Sequence, residues 1–194
     1  AMTASTSNGI TADDSLCFRC IETSTLNFQF QLREQNGASG YLQGAADSTM
    51  STAGSVKQMY LEFKRLSATK FEATLYNDSN YSEVIDTMSA ECDSGITNLR
   101  YLQVGVGNPD GTATGEVTGH IGIPLFYDGV TTVENIPSQQ TATFSDDFSS
   151  DNWTDVGTLC AVNTSTQVLD FDVNDNGVEH STSYDVGIVS DEKW

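Results

Sequence analysis

The sequence is poor in basic residues, with 8 lysines and arginines against 27 aspartates and glutamates, for a formal net charge of −19. A field of this sign repels the phosphates of nucleic acids and the headgroups of anionic lipids. We therefore expect no nucleic-acid partner. The same excess of carboxylates favours solubility and attracts divalent cations, so calcium is the cofactor hypothesis that this composition allows.

Long apolar runs and catalytic motifs are also missing. No apolar run approaches the roughly 20 residues that a membrane-spanning helix needs, so we expect no membrane insertion. The two histidines, His120 and His180, lie in no recognisable nucleophile or metal motif. No pair of carboxylates has the same-face spacing on a strand that glycoside hydrolysis requires. The sequence therefore predicts a protein that is not an enzyme.

Cysteine is scarce, and its spacing leaves its chemistry open. The four cysteines are Cys17, Cys20, Cys92 and Cys160. Four cysteines permit three pairings, among which the sequence does not choose. Disulfides formed in an oxidising compartment are the favoured interpretation, and buried thiols are the second. Zinc is the third, because Cys17 and Cys20 form a CxxC spacing without a second such pair.

Period-two alternation of apolar and polar residues is the leading pattern in the chain. Residues 26–32 alternate leucine and phenylalanine with polar residues, which predicts a strand with one apolar face. Further strands are predicted over residues 40–43, 60–66, 70–76, 99–106, 119–127, 167–173 and 183–189, the last two joined by a turn at 172–177. Residues 82–90 are interpreted as a short helix or a loop. The predicted fold is all-β, a two-sheet antiparallel β sandwich of the jelly-roll type.

The order of these patterns suggests that the first part of the chain corresponds to the middle and end of a β domain and the last part to its opening strands. Residues 1–130 read as the main part of a jelly-roll sandwich, and residues 131–143 (TTVENIPSQQTAT) read as a polar linker. Residues 144–194 read as the opening strands of a jelly roll. Those strands complete either the same domain or that of a neighbouring subunit.

Three short passages carry a family resemblance. They are residues 146–157 (DDFSSDNWTDVG), 168–172 (VLDFD) with 183–187 (SYDVG), and 118–121 (TGHI) with 126–129 (FYDG). In rotated order they resemble the laminin-G-like, concanavalin-A-like jelly-roll domains of repetitive cell-surface proteins of archaeal type. The resemblance implies a β sandwich in a surface protein. Paired aspartates that often precede the final strand of such domains are replaced here by Gly122-Ile-Pro124.

Two groups of oxygen-bearing side chains are candidate calcium ligands. Asp172, Asn174 and Asn176 alternate ahead of Gly177, as in the first half of a calcium loop, although the closing glutamate is absent. The same residues also make a good hairpin turn. Asp146 and Asp147 form a second pair, at the place where the resemblance implies a structural cation, and solvated carboxylates before a strand are the alternative.

Two sequence features are candidates for carbohydrate binding or attachment. Trp153 is the best candidate for stacking on a sugar ring, against the alternative that it belongs to the core. Four sequons for asparagine-linked glycosylation are expected in loops or near strand ends, which is typical of a secreted protein. Their asparagines are Asn77, Asn80, Asn152 and Asn163.

These observations lead to two functional hypotheses. The first is a non-enzymatic extracellular subunit whose partners are copies of itself, assembled head to tail into a filament or surface array. Strand exchange would supply the contact, either through residues 1–14 or through the part after Thr131, with calcium as an aid. The alternative is a glycan-binding adhesion module of the cell surface, closed within one chain. A third interpretation is that the order of the strands reflects only how the sequence was trimmed, which needs no special biology.

Overall fold

The fold is all-β. A computed structural model describes residues 2–3, 14–24, 27–36, 41–43, 48–51, 58–106, 117–122, 124–126, 144–156, 160–173 and 180–187. These residues form sixteen strands and no helix, and the strand pairs are antiparallel. The all-β, antiparallel prediction is confirmed. Within the described ranges, no helix has the length and apolarity needed to cross a bilayer.

The strands are numbered here in chain order. They are β1 (Met2–Thr3), β2 (Ser15–Ser24), β3 (Asn27–Gln35), β4 (Tyr41–Gln43), β5 (Ser48–Ser51), β6 (Tyr60–Ser67), β7 (Lys70–Tyr76), β8 (Val84–Glu91), β9 (Tyr101–Val106), β10 (Val117–Ile121), β11 (Leu125–Phe126), β12 (Phe144–Ser145), β13 (Thr154–Val156), β14 (Cys160–Asn163), β15 (Val168–Val173) and β16 (His180–Asp185).

The largest sheet has the strand order β13–β16–β9–β1–β2–β3–β4, and β5 also pairs with β3. The long hairpin of β2 and β3 runs from the pair Ser15 and Gln35 to the pair Ser24 and Asn27. Because side chains alternate between the faces of a strand, the even-numbered apolar residues of this hairpin share one face. Leu16, Phe30 and Leu32 are buried there.

A second sheet is the meander β6–β7–β8. Phe71, Ala73 and Leu75 alternate along β7, and all three are buried. The opposite face is polar, where Lys64 forms ion pairs of 3.3 Å with Glu62 and 2.9 Å with Glu72. The meander therefore presents one apolar and one polar face, as the sequence predicts for strands 60–66 and 70–76.

Residues 82–90 correct one prediction, because residues 84–90 belong to strand β8 and not to a helix or loop. Strand β8 pairs with β7 along its length, and Met88 and Ala90 are buried while Thr87 and Ser89 are exposed. The alternation is weak in the sequence because Val84 and Ile85 at the start of the strand are both exposed and apolar. Pairing with β7, a non-local effect, decides the conformation.

Two smaller sheets complete the fold: β10–β15–β14 and the pair β11–β12. The strand predicted over residues 119–127 is divided into β10 and β11, with Pro124 between them. Proline has no backbone N–H to donate to a strand ladder, which explains why the predicted strand is interrupted at Pro124. The expected hairpin between strands 167–173 and 183–189 is wrong, because β15 lies between β10 and β14 whereas β16 lies between β13 and β9.

The core has two clusters that share a residue. The first joins the large sheet to the meander, through Leu16, Phe30, Leu32, Phe71, Ala73, Leu75, Met88, Ala90, Cys92, Ile96 and Leu99. The second consists of Phe148, Trp153, Cys160 and Leu169. Leu102 of β9 packs against both clusters. The two parts of the core are therefore in contact through the large sheet.

Strands from the two ends of the sequence pair within the one chain. Strand β16 pairs with β9 over six residues, β15 pairs with β10 over five, and β12 pairs with β11. The described strands that follow residue 143 thus pair within their own chain in this structure, and the domain division at residues 130 and 143 stays a prediction. The predicted linker, residues 131–143, lies outside the described residues.

Candidate functional site

Strand β1 is the described element that joins the two parts of the large sheet. It has β2 on one side, where Met2 is opposite Leu16 and Thr3 is opposite Ser15. On the other side it has β9, where Met2 is opposite Leu102 and Thr3 is opposite Tyr101. Leu16 is fully buried, and Leu102 packs against both core clusters. A two-residue strand thus occupies the middle of the sheet, beside the core.

The register of the sheet also defines a face opposite the core. Tyr101 is opposite Asp185, and Ser183 is opposite both Gln103 and Thr154. Residues directly opposite or two apart along a strand share a face, so these five residues lie on one side of β9, β16 and β13. Leu102 and Tyr184, which contact the core, are one residue out of step and belong to the other side. The side away from the core is therefore polar.

A cavity of about 460 Å³ opens at the end of this polar side. Its lining residues are Tyr101, Asn152, Thr154, Ser183, Tyr184 and Asp185. Asn152 and Thr154 are exposed, whereas Ser183 is buried and its hydroxyl lies 3.4 Å from the carbonyl oxygen of Thr154. The lining therefore combines two tyrosines with amide, hydroxyl and carboxylate groups.

The carboxylate of the cavity is neutralised by an ion pair. Arg100 donates from Nε and Nη2 to the two carboxylate oxygens of Asp185, at 2.7 and 2.6 Å. This two-pronged hydrogen bond lowers the pKa of Asp185 and raises that of Arg100. The guanidinium carbon lies 5.7 Å from the centre of the Tyr101 ring. The cavity thus carries hydrogen-bonding groups without an uncompensated charge of its own.

Trp153 lies beside this cavity but belongs to the core. It is 8% exposed, and its ring packs against Phe148 at 5.7 Å and Tyr184 at 5.8 Å. Its indole nitrogen donates to Asp146 at 2.9 Å. Burial of this extent agrees with the alternative that Trp153 belongs to the core, because little of its ring is open to a ligand.

The two aspartates predicted to hold a cation have structural partners. Asp146 accepts hydrogen bonds from the backbone nitrogen of Phe148 at 2.7 Å and from Trp153. Asp147 accepts from the backbone nitrogen of Ser149 at 3.0 Å, and hydrogen bonding to that serine lowers the pKa of Asp147. Both carboxylates cap the bend that leads to β13. Calcium at this pair stays a prediction.

The other predicted cation loop is described only at its first residue. Asp172 lies on β15 opposite Thr118, and Asn174 and Asn176 lie outside the described residues. In the part of the chain that the structure describes, no group of three or more histidine, cysteine or acidic side chains is placed to hold a metal ion. Calcium here likewise stays a prediction.

Three of the four cysteines are buried thiols in the structure: Cys17, Cys92 and Cys160. Cys20 lies on β2 opposite Phe30, and its side chain is outside the described part. Burial raises the pKa of Cys160 to about 12, with a further contribution from the charge of Asp155. The pairing of the four cysteines stays a prediction.

The four sequons lie where the sequence predicts, in bends or at strand ends. Asn77, Asn80 and Asn152 are exposed, and Asn163 ends β14. Asn77 donates to Glu83 at 3.1 Å, and Asn163 donates to Asp170 at 2.8 Å. Asn80 and Asn152 are therefore the more open of these candidate glycosylation sites.

The sequence reading missed Tyr101, Thr154 and the ion pair of Arg100 with Asp185. Arg100 and Asp185 are 85 positions apart, and no local pattern links them. Only the pairing of β9 with β16 brings them together. Asn152 and Thr154 did carry a signal, since they are the first and third residues of a sequon.

Comparisons with protein-family models, curated proteins and solved structures found no match for this chain. The laminin-G-like and concanavalin-like resemblance therefore stays a prediction from the sequence.

Proposed function

We propose that this protein is a non-enzymatic, extracellular structural subunit that assembles head to tail by exchange of β1. We further propose that its sheets form a two-layer jelly-roll sandwich. One observation carries the proposal: a strand of two residues, Met2–Thr3, fills the middle of the largest sheet and pairs with both β2 and β9. The same segment, residues 1–14, is one of the two that the sequence nominates for exchange.

The energetics of the sheet favour occupation of this position. Without β1, the facing edges of β2 and β9 would lose backbone partners next to Leu16, which is fully buried. Buried backbone groups without hydrogen-bond partners are costly, so a strand is strongly favoured there. The sheet places no requirement on which molecule supplies that strand. The β1 segment of a neighbouring copy offers the same residues in the same register.

The sequence between β1 and β2 is long enough for exchange. Ten residues, 4–13, separate Thr3 from Asp14, whereas a tight antiparallel hairpin needs only about two to five connecting residues. Ten extended residues reach up to about 35 Å. Exchange of an identical element between copies is a low-cost route to assembly, and repeated in one direction it gives a filament.

The alternative of exchange through the part after Thr131 has less support. Strands β12, β13, β15 and β16 all come from that part, and they pair with strands of the same chain. Exchange of β1 requires only the short β1 pairs to be broken. The proposal is therefore confined to residues 1–14.

The test compares assembly of the full chain with that of a double variant, Met2→Pro with Thr3→Pro. Proline has no backbone donor, so the variant strand cannot complete a ladder on both sides. Light scattering and electron microscopy over a range of protein concentrations should show polymers of the full chain and none of the variant. Replacement of the same residues by alanine is the matched control and should still assemble.

Two further arms make the outcome specific. A synthetic peptide of residues 1–14, added in excess, should cap the full chain and shorten its polymers. Repetition with calcium and with a chelator tests whether the cation assists assembly. A full chain that stays monomeric at every protein and calcium concentration would rule out the proposal.

A further inference from the structure

The cavity on the polar side of the large sheet has the chemistry of a ligand site. It is a half-open depression with a volume of about 460 Å³. Strands β9, β13 and β16 supply Tyr101, Thr154 and Ser183 from paired positions of one sheet. Groups fixed on paired strands are held in place more firmly than groups on loops.

Charge narrows the class of ligand. The chain carries a formal charge of −19, which repels anions such as phosphates and carboxylates. A cation finds no unneutralised carboxylate in the lining, because Arg100 binds both oxygens of Asp185 at 2.7 and 2.6 Å. The electrostatics of the cavity therefore favour a ligand that is neutral.

The polar groups of the lining restrict the class of ligand further. The amide of Asn152 offers two donors and an acceptor, the hydroxyl of Thr154 donates and accepts, and the paired carboxylate of Asp185 accepts. The Ser183 hydroxyl is buried and already lies 3.4 Å from the carbonyl oxygen of Thr154. The Tyr101 ring adds an aromatic surface that suits the C–H face of a ring. Several hydroxyl groups and an apolar face in one neutral molecule are the chemistry of a saccharide.

We propose that this cavity binds a neutral saccharide, with Tyr101 as the aromatic surface and Asn152, Thr154 and Asp185 as hydrogen-bonding partners. The site differs from the one expected at Trp153, which is buried. It does not rest on the assembly of the chain. The saccharide has two conceivable sources, a separate glycan or a glycan attached to the chain itself, because Asn152 and Thr154 also form a sequon.

The test uses the full chain made in a bacterial host that does not glycosylate sequons. The probes are glucose, galactose, mannose and the disaccharide of N-acetylglucosamine, with glucuronate as the matched anionic control. Fluorescence of Trp153, whose ring lies 5.8 Å from that of Tyr184, reports binding, and calorimetry checks it. Binding is measured at protein concentrations at which light scattering shows no assembly, so that polymerisation does not enter the measurement.

The variants are Asn152→Ala combined with Thr154→Val, both exposed positions, and Asn80→Ala as a control on a distant loop. Saturable binding of a neutral probe should weaken about tenfold or more in the double variant, as expected for the loss of one or two hydrogen bonds. The control should bind like the parent, and glucuronate should bind more weakly than glucose. Circular dichroism checks that each variant is folded.

The second arm examines the chain made in a host that glycosylates sequons. A sugar on Asn152 whose protons show nuclear Overhauser contacts with the Tyr101 ring identifies the attached glycan as the occupant. The proposal is overturned if neither arm shows a saccharide in the cavity. It is equally overturned if the double variant binds as tightly as the parent, or if glucuronate binds more tightly than glucose.

Discussion

The indole nitrogen of Trp153 donates a 2.9 Å hydrogen bond to the carboxylate of Asp146, seven positions earlier in the chain. The other oxygen of the same carboxylate accepts from the backbone nitrogen of Phe148, whose φ of 55° is rare for a residue with a side chain. One carboxylate thus fixes a bend and the orientation of a core tryptophan. Asp146 therefore has a structural role in this bend.

The first prediction concerns this carboxylate. Replacement Asp146→Ala leaves the buried indole N–H of Trp153 without its acceptor and should lower the free energy of unfolding by about 1–3 kcal/mol. Urea denaturation followed by tryptophan fluorescence measures the change. Asp147→Ala, at an exposed neighbour, is the matched control and should move the midpoint little. If calcium stabilises the parent but not the Asp146 variant, this residue is a cation ligand after all.

Arg65 gives the second prediction. It is 1% exposed and donates to the carbonyl oxygens of Ser67 at 3.2 Å, Ala68 at 2.9 Å and Ile96 at 2.8 Å. Arg65→Met keeps the aliphatic bulk but removes all three hydrogen bonds, which should destabilise the chain by about 2–4 kcal/mol. Lys70→Met, at an exposed position, should change stability by less than about 0.5 kcal/mol. Equal midpoints for the two variants in urea would contradict this role.

Glu34 gives a prediction about pH. Burial raises the pKa of this carboxyl, which is 1% exposed and accepts a 2.7 Å hydrogen bond from the backbone nitrogen of Asp93. The folded state therefore holds the proton to higher pH than the unfolded state does. Between the unfolded and folded pKa values, the folded state binds more protons, so this residue makes stability fall as pH rises.

Glu34→Gln removes the buried charge and keeps an acceptor for Asp93. The variant should be more stable than the parent at neutral pH, and its advantage should shrink as the pH falls toward the ordinary pKa of glutamate. Urea denaturation from pH 4 to pH 7 measures both effects. Glu91→Gln, at an exposed position, is the control. A difference between parent and variant that does not change with pH would contradict the assignment.

The thiols give the fourth prediction. Burial raises the pKa of Cys160 to about 12, so little thiolate forms at pH 8 and reaction with a disulfide reagent should be slow in the native state. A Cys20→Ser variant restricts the count to Cys17, Cys92 and Cys160. In denaturant without reductant, all three should react within minutes. Fewer than three reactive thiols in the denatured chain would mean that a disulfide is present.

Local alternation predicted several strands but not their partners. Strands β3, β6, β7 and β15 follow from period-two patterns in the sequence. The strand character of β8 came from pairing with β7. The turn before β8 is organised by Asp78, which accepts hydrogen bonds from residues 80, 82 and 83, and this network is visible only in three dimensions.

Local sequence patterns predicted the candidate sites even less well than the strand partners. Residue type left Trp153 open as a sugar-binding or a core residue, because burial depends on the pairing of distant strands. The cavity beside it unites Tyr101 with Asp185, which the sequence separates by 84 positions and the register of β9 and β16 places directly opposite. No turn or periodic pattern records such a register, so the site becomes visible only once the sheet order is known.

Leu102 packs against both core clusters, and three strand pairs connect strands from the two ends of the sequence. These contacts should hold the chain together after its backbone is cut. A protease that cleaves the peptide backbone within residues 131–143 would sever the connection without removing any of those pairs. The two fragments should remain bound to each other and, when made separately, recombine into one folded particle. The two pieces would then be complementary fragments, whose reassembly restores a single folded structure.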